Sequence, residues 1–461
     1  MVDIVLVVPP KLNMSIVPPL GLGYLASSLR QEEYKVELFD FVKQRASLND
    51  AADKIIRKNP RFVGLTVLTH YYNTAKELIK LMKQKNSKLK VIIGGVHISA
   101  LPEFSLQDLE ADFAIIGEGE EVISKVIKVC DSNPKNFAGI EGLVYRENGR
   151  VKINSGCNII KDLDALPFPA WDLIAPQSYW DSPGYFSSKG FNAPIIISRG
   201  CPHQCSFCVS RLVHSTKIRY RDPGNVIDEM EMLVKNFGIQ DFDFYDDNFA
   251  ENKTLAVAVC EEIIKRRLNI SWKTPVGIRL DNIDEEILIA MKRSGCYEIG
   301  FGIESYSDEV LRLNKKPLDR SRVLEKINLV KKFNIKTMGF FILGLPGDTK
   351  KSIRQTMNFA ISSPFDLVIF SCAIPFPGTE MFKKIYTEDN FPRINWDKFT
   401  FSNQFNTSEV SPFSLRLLLR EAFIRCYIKP SRIICLFRIF LRLKILSFLK
   451  ALKFIFYYII K

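Results

Sequence analysis

The sequence predicts an α/β protein in three parts: a doubly wound parallel-sheet domain, a partial (βα)6 barrel, and a helical, basic C-terminal tail. Three observations carry this. Short apolar runs alternate with amphipathic helical stretches through the first 130 or so residues. The same alternation resumes from Pro194 to Pro375. After Ser411 the composition changes to Arg and Lys interleaved with Leu, Ile and Phe.

In the first part, Ile4–Val8, Val36–Phe41, Phe62–Leu68, Val91–Gly95 and Phe113–Gly117 read as strands. They are short, and most are apolar on both faces, as strands covered by helices must be. Helical stretches such as Gly21–Arg30 and Asn73–Lys83 separate them. Ligands of such sheets bind outside the carboxyl ends of the strands. Those ends are Pro9-Pro10, Thr69-His70, Gly94-Gly95-Val96-His97 and Gly117-Glu118-Gly119-Glu120. The glycines among them suit close approach of backbone to a large ligand.

Residues 136–190 read as a linker, with a hairpin over Gly142–Asn154 turning at Asn148-Gly149. The Pro- and aromatic-rich stretch Leu166–Tyr185 is expected to be extended and packed on the surface. Six further strands follow: Pro194–Ser198, Asp241–Tyr245, Ser271–Ile278, Glu298–Glu304, Thr337–Gly344 and Leu367–Ala373. Helical stretches such as Asn225–Asn236, Thr254–Arg267, Asp284–Ser294, Arg320–Phe333 and Thr349–Ile361 lie between them. Six βα units make a partial barrel, because a closed one takes eight. The expected domains are 1–135, a linker 136–190, a barrel 191–400 and a C-terminal region 401–461.

The net charge of +13 is unevenly placed. Ser411–Lys461 holds eleven basic residues and one acid, Glu421, a net +10, which leaves +3 for the other 410 residues. No nucleic-acid partner is expected, since such proteins spread their charge over a folded face. The N-terminus MVDIVLVVPP lacks a basic region and a cleavage site, so no signal peptide is expected. Ten cysteines without one point to a reducing cytoplasm. No run reaches the roughly 18–20 uncharged apolar residues that span a bilayer.

The loop Ser198-Arg199-Gly200-Cys201-Pro202-His203-Gln204-Cys205-Ser206-Phe207-Cys208 follows the first barrel strand directly. Three thiolates spaced C-x3-C-x2-C can wrap one compact centre, and soft thiolates select Fe–S clusters, zinc or copper(I). Three ligands on a [4Fe–4S] cluster leave one iron open to a substrate or cosubstrate. A zinc site would use His203 as a fourth ligand, but its usual pattern is paired C-x2-C-like units, and no second pair exists. Cys157, Cys260, Cys296 and Cys372 stand singly and read as small buried hydrophobes.

C-x3-C-x2-C after the first strand of a six-unit half-barrel resembles the radical S-adenosylmethionine (SAM) superfamily. The resemblance implies that Cys201, Cys205 and Cys208 hold a [4Fe–4S] cluster. SAM would chelate the fourth iron, and one electron would cleave it to methionine and a 5′-deoxyadenosyl radical. Further segments extend the resemblance. Tyr245-Asp246-Asp247-Asn248-Phe249 is similar to the segment that contacts the SAM amino group. Gly277-Ile278-Arg279-Leu280-Asp281 is similar to the one that supplies an Arg to its carboxylate. Gly300-Phe301-Gly302-Ile303-Glu304-Ser305 resembles the segment near the ribose. Gly344-Leu345-Pro346-Gly347-Asp348-Thr349 and Pro375-Phe376-Pro377-Gly378-Thr379 follow the fifth and sixth strands. Asp246, Arg279, Glu304, Ser305 and Gly344 are therefore the expected SAM contacts. Each segment alone also fits a helix cap or a turn; their order along six strands is what carries the resemblance.

Pro18-Pro19-Leu20-Gly21-Leu22-Gly23-Tyr24, Gly94-Gly95-Val96-His97 and Gly117-Glu118-Gly119-Glu120-Glu121 resemble the Rossmann-like cobalamin-binding domain that precedes many radical SAM domains. The resemblance implies cobalamin contacts at Leu20, Gly21, Thr69, Gly94, Gly95, His97, Gly117, Glu118 and Gly119. The D-x-H-x-x-G signature of domains whose His ligates cobalt from below is missing. Together the two resemblances imply a cobalamin-dependent radical SAM enzyme. The leading expectation is a methyltransferase acting on an unactivated carbon of a small molecule or lipid. An oxidative cyclase, as on a Mg-porphyrin ester, is the alternative, and a non-catalytic cobalamin carrier stands outside both. A reducing donor such as flavodoxin or ferredoxin is implied.

In the tail, Arg432, Arg438, Arg442, Lys450, Lys453 and Lys461 share a helical arc of about 140°, with mostly Leu, Ile, Phe and Tyr elsewhere. Two readings stay open. The tail lies in a membrane interface at the inner face of the membrane, or it packs on the barrel with its basic face in water.

Overall fold

The computed structural model describes residues 2–11, 16–132, 136–180, 182, 187, 189–401, 403–430 and 432–433. In the first sheet, β1 (Ile4–Val8), β2 (Val36–Asp40), β3 (Phe62–Thr66), β4 (Lys90–Gly94) and β5 (Phe113–Ile115) are parallel. β6 (Leu143–Glu147) and β7 (Arg150–Ile153) add antiparallel at the end, giving the order β2-β1-β3-β4-β5-β6-β7. All five residues of β1 are buried, as a central strand covered on both faces requires. From β1 the chain goes to β2 on one side and returns to β3 on the other, so a crevice opens between the carboxyl ends of β1 and β3.

The hairpin expected in the linker belongs to this sheet. The Leu166–Tyr185 stretch corrects its expectation of an extended surface segment. It contains a helical turn, Trp171–Ile174, in which Trp171 and Ile174 are buried. The aromatic residues pull it inward, and the helix Leu20–Gln31 receives it. Ser27 Oγ donates to the Phe168 carbonyl, Ala170 N–H donates to the Gly23 carbonyl, and Arg30 makes a two-pronged ion pair with Asp172.

The chain forms two compact units that interleave in sequence. The first takes Met1–Ala175, Cys208–Lys217 and Phe376–Phe399; the second takes Pro176–Phe207, Ile218–Pro375 and Thr400–Lys461.

The second unit carries β8 (Asn192–Ile195), a two-residue ladder of β9 (Ser198–Arg199) with β10 (Arg219–Tyr220), then β11 (Asp241–Phe244), β12 (Ser271–Ile278), β13 (Cys296–Glu304), β14 (Lys336–Leu343) and β15 (Leu367–Cys372). The main sheet runs β15-β14-β13-β12-β11-β8, all parallel. Parallel neighbours need long crossovers. Helices Pro223–Phe237, Lys253–Lys265, Glu285–Arg293, Arg320–Lys332 and Lys350–Ser362 supply them. Each begins where a short polar side chain accepts a bond from its first turn: Asp222, Asn252, Asp284, Asp319 and Thr349. Phe244, Phe249 and Trp272 cluster with ring centroids 4.9–5.2 Å apart, and the Trp272 indole N–H donates to the Ser294 carbonyl at 3.1 Å.

Helix Pro412–Tyr427 packs along β15, and Tyr427 Oη donates to the Val368 carbonyl at 2.6 Å, occupying part of the open sheet edge. Arg432 corrects its expectation of a basic side chain turned outward: it is buried. Its guanidinium donates to the carbonyls of Ala360, Ser363 and Phe365 and lies 2.7 Å from Cys426 Sγ. The physical reason is the end of helix Lys350–Ser362, whose last carbonyls have no partner within the helix. The rest of the basic arc, from Arg438 onward, lies outside the described residues. Among the described residues no helix is long and apolar enough to cross a membrane.

Arg432→Met leaves these carbonyls buried without donors. It is expected to destabilise the protein by about 2–4 kcal/mol, read as a lower urea midpoint. An unchanged midpoint would remove Arg432 from the packing of the barrel edge.

Candidate active site

The cysteine loop leaves β9 at Gly200, directly beyond the carboxyl end of β8. Its base is held from beneath. The Asp246 carboxylate, just past β11, accepts from Ile197 N–H at 3.0 Å and Ser198 Oγ at 2.6 Å. Asp246 is buried, and burial raises its carboxyl to about 7 against the pull of these hydrogen bonds. Beside it, Arg221 donates to the Ile196 carbonyl at 3.0 Å and to Asn225 Oδ1 at 2.7 and 2.9 Å. Arg221 also makes a buried 2.6 Å ion pair with Glu229. Further along, Ser206 donates through N–H (3.1 Å) and Oγ (2.7 Å) to Asn314, whose amide donates to the Pro346 carbonyl at 2.9 Å.

Cys201, Cys205 and Cys208 are half-buried, and none of the nine described cysteines is disulfide-bonded. Burial pushes the Cys205 thiol up, while the charges of Lys316 and Arg279 favour its thiolate. Soft thiolates beside fixed cations fit an Fe–S cluster, which takes one cysteine per iron. Among the described residues no three His, Cys, Asp or Glu side chains gather to hold a single ion. His203, the fourth ligand of a zinc reading, has its Nε2 3.2 Å from Glu251 Oε2. Of the single cysteines, Cys260, Cys296 and Cys372 are buried, and burial raises Cys260 and Cys372 to about 12; Cys157 is half-buried.

The other expected SAM residues stand at the carboxyl ends of β12, β13 and β14. Arg279 follows β12; its side chain donates to the Pro317 carbonyl at 2.6 Å and pairs with Asp281 at 3.0 Å, while its N–H donates to Asn248 Oδ1 at 3.2 Å. Glu304 ends β13 after a register shift, at φ 63°, and pairs with Lys316. A non-glycine in the left-handed region stores strain, a common feature of functional strand ends. Ser305 is buried, its Oγ 3.3 Å from Thr356 Oγ1 and accepting from Ser307 N–H. Gly344 donates to Asp348 Oδ2 at 3.0 Å and accepts from Thr407 Oγ1 at 2.6 Å.

In the first unit, the expected rim residues lie at the carboxyl edge of the sheet. Leu20 and Gly21 open the helix after β1, and Gly94 ends β4. Among the described residues, and apart from the adjoining backbone, no heavy atom lies within 4 Å of where a Cβ would sit on Gly21 or Gly94. Gly95, at φ 102°, brings its backbone against Val67, and a Cβ there would sit 3.1 Å from Val67 N and O. Leu68 next to them is exposed. An uncluttered, partly apolar edge fits a broad flat macrocycle.

Other expected rim side chains turn inward. Thr69 is buried at the start of a tight turn, Thr69–Tyr71. His97 is fully buried between Tyr72 (4.4 Å) and Trp396 (4.8 Å), neither ring nitrogen has a hydrogen-bond partner among the described residues, and burial lowers it to about 3. Gly117, at φ 81°, sits where a Cβ would come within 2.2 Å of Cys157 Sγ. Glu118 is buried; its carboxylate accepts from Ile160 N–H at 2.7 Å and lies 3.0 Å from His214 Nδ1. Gly119 precedes helix Glu120–Asp131.

Residues that no sequence pattern marked complete both places. Lys11, after β1, donates to the His70 carbonyl, after β3, and pairs with Asp397, tying the two lips of the crevice together. Asp397 is steadied by Asn73 at 2.9 Å. Arg221, Glu229, Asn314 and Lys316 likewise carry no motif; Asn314 meets Ser206 108 residues away, and the others are set by the packing around them.

Residues 14–127 match the family model for the B12 binding domain, and residues 195–360 match that of the radical SAM superfamily. An uncharacterized methyltransferase of Pyrococcus horikoshii is 32% identical over 428 residues, covering 90% of this chain and 89% of that one. The anaerobic magnesium-protoporphyrin IX monomethyl ester cyclase of Cereibacter sphaeroides is 27% identical, covering 83% of this chain and 62% of the cyclase. The fold matches the solved structure of the radical SAM methyltransferase TsrM from Kitasatospora setae with cobalamin and a [4Fe–4S] cluster bound. The TM-score is 0.70 at 20% identity, covering 84% of this chain and 78% of TsrM. The chain belongs to the cobalamin-binding-domain radical SAM enzymes, whose cofactors are a [4Fe–4S] cluster, SAM and cobalamin. Such an enzyme also needs a reductant and a substrate.

Two outcomes are expected. Asp246→Ala strands Ile197 N–H and loosens the loop base, so the reconstituted variant holds less iron than wild type; equal iron would separate Asp246 from the loop. Asp397→Asn weakens the tie across the crevice. Cobalamin retained on desalting, read by absorbance, falls about two- to fivefold, the scale of a half-exposed ion pair. Iron content, carried by the other cofactor's ligands, stays unchanged.

Proposed function

We propose that the protein is a cobalamin-dependent radical SAM methyltransferase that methylates an unactivated carbon of a small-molecule or lipid substrate. The observation that supports it most is the pairing, in one chain, of an open glycine rim at a sheet crevice with a three-thiolate loop. The P. horikoshii relative, similar along nearly its whole length, is described as a methyltransferase.

Bound together, the cluster, SAM and cobalamin would supply a carbon radical and a methyl carrier. The chain's own residues do the rest. Cys201, Cys205 and Cys208 would hold the cluster, one thiolate per iron, with one iron left for SAM. Arg279 and Lys316 place positive charge near Cys205, which would offset the negative charge of the cluster and of the SAM carboxylate. Glu304, strained and paired with Lys316, presents a carboxylate at the end of β13 suited to a hydroxyl or ammonium of SAM. Asp246 has its carboxylate engaged by Ile197 and Ser198, so its hold on SAM acts through the loop. Gly344 and Ser305 contribute backbone at neighbouring strand ends. Leu20, Gly21, Gly94, Gly95 and Gly119 give cobalamin a flat approach, while Thr69, His97, Gly117 and Glu118 stiffen the rim from within. The reductant is a low-potential carrier such as flavodoxin or ferredoxin, and the setting is the cytoplasm.

The test is mass spectrometry of SAM products. The protein is purified without oxygen and reconstituted with iron, sulfide and hydroxocobalamin. It is then reduced and compared with the Cys201→Ala, Cys205→Ala, Cys208→Ala variant. Both 5′-deoxyadenosine and S-adenosylhomocysteine are expected from the intact protein and neither from the variant. 5′-Deoxyadenosine alone would replace methyl transfer by the cyclase reading. Neither product from a protein with intact cluster and bound cobalamin would leave the carrier.

A further inference from the structure

The helix Pro412–Tyr427 is apolar on two opposite faces. Leu415, Leu418, Leu419, Ala422 and Cys426 are buried on the side that meets the barrel. On the other side, Phe413 is 71% exposed, Leu417 49%, Ile424 47% and Ile428, just past the last turn, 65%. At 100° per residue these four fall within an arc of about 60°, diametrically opposite the buried one. Exposed large apolar residues scattered singly need no explanation, but four on one arc of a helix, as two pairs on either side of Arg420 and Glu421, mark a surface that meets something.

Charge decides what. Arg416 and Arg420 line one side of the stripe and Arg425 the other, and the one acid of the helix, Glu421, is engaged by Arg425 at 2.9 Å and Arg354 at 3.4 Å. The 28 residues that follow the described chain carry six more cations, Arg438, Arg442, Lys444, Lys450, Lys453 and Lys461, and no acid. Folding that segment back over the stripe would set cation against cation. Pairing the stripe with a second copy of the chain would do the same. A surface that is apolar below and anionic above accepts both features at once.

We propose that the Phe413–Leu417–Ile424–Ile428 face is a docking surface for an anionic phospholipid bilayer. The helix lies along the interface, with its stripe in the acyl boundary and its arginines at the headgroups. The buried guanidinium of Arg432, held by Ala360, Ser363 and Phe365, anchors the chain beyond the helix to the barrel. Membrane contact would therefore fix the position of the barrel edge as well as of the tail. This docking is independent of the chemistry the enzyme performs.

The experiment uses the full reconstituted chain and a variant with Phe413→Ser, Leu417→Ser, Ile424→Ser and Ile428→Ser. Co-sedimentation is measured with vesicles of phosphatidylcholine alone and of equimolar phosphatidylglycerol and phosphatidylcholine. The four side chains are exposed, so iron content and thermal midpoint should match wild type; a single Phe413→Asp variant provides a second, milder test. Wild type is expected to bind the anionic vesicles and not the neutral ones, and to release at high salt. The fourfold variant should bind at least about tenfold more weakly, and Phe413→Asp should fall between. Equal binding by wild type and both variants overturns the proposal. So does a wild type that ignores vesicles, whether it sediments as a dimer that the variant splits, which would make the stripe a self-interface, or as a monomer, which would mean that the chain covers the stripe itself.

Discussion

A buried carboxylate at the end of one barrel strand carries the start of the loop beside it. Asp246 reaches from the end of β11 to Ile197 N–H and Ser198 Oγ, and the cysteine loop begins two residues later. Three thiols spread along eight residues have little shape of their own. They become a ligand set only when the backbone between them is fixed, and here it is fixed from beneath, by Asp246 and by the Arg221–Glu229 pair, and from the side, by Asn314. Each of these groups is buried, where a hydrogen bond or ion pair is strong and an unmet partner is costly. The loop therefore inherits the rigidity of the parallel sheet, although its own sequence is half polar.

The first unit solves a different problem. A flat macrocycle needs a surface from which side chains have been cleared. In the proposed reading the edge of the sheet would meet this with glycines at Gly21 and Gly94 and with side chains that turn inward at Thr69, His97 and Glu118. A neutral imidazole enclosed by Tyr72 and Trp396, with neither nitrogen bonded among the described residues, is a packing element. The segment Phe376–Phe399 completes this unit although it lies beyond the barrel in sequence. Trp396 seals His97, and Asp397 holds Lys11 across the crevice between β1 and β3. The crevice and a segment from beyond the barrel are thereby held within one unit.

At the far end of the chain, the same helix serves two apolar surfaces. Its inner face closes the barrel edge, where Tyr427 occupies the backbone of Val368. Its outer face is left to an environment that the basic composition around it selects. If that environment is a bilayer, as proposed, the stripe would bring the barrel edge to its surface.

Much of this was legible in the order of residues. The helix caps at Asp222, Asn252, Asp284, Asp319 and Thr349 act within three residues of themselves, and periodicity of apolar residues is a local property, so all eleven expected strands of the two main sheets form with small shifts at their ends. The C-x3-C-x2-C loop is local too, which is why its chemistry could be read without a structure. The inward turn of His97 and Glu118, the burial of Arg432 and the roles of Lys11, Asn314 and Lys316 could not. Lys11 and its partner Asp397 are 386 residues apart, and Ser206 and Asn314 are 108 apart. Arg432 looked like one more cation in a basic tail until the unsatisfied carbonyls of a helix 70 or so residues earlier claimed it. Sequence alone determined the strands, the caps and the cysteine spacing, because those follow from interactions a few residues long. Tertiary structure decided which polar groups are spent on holding the site and which remain to face a ligand, because a buried donor or acceptor takes whatever partner the packed chain brings to it.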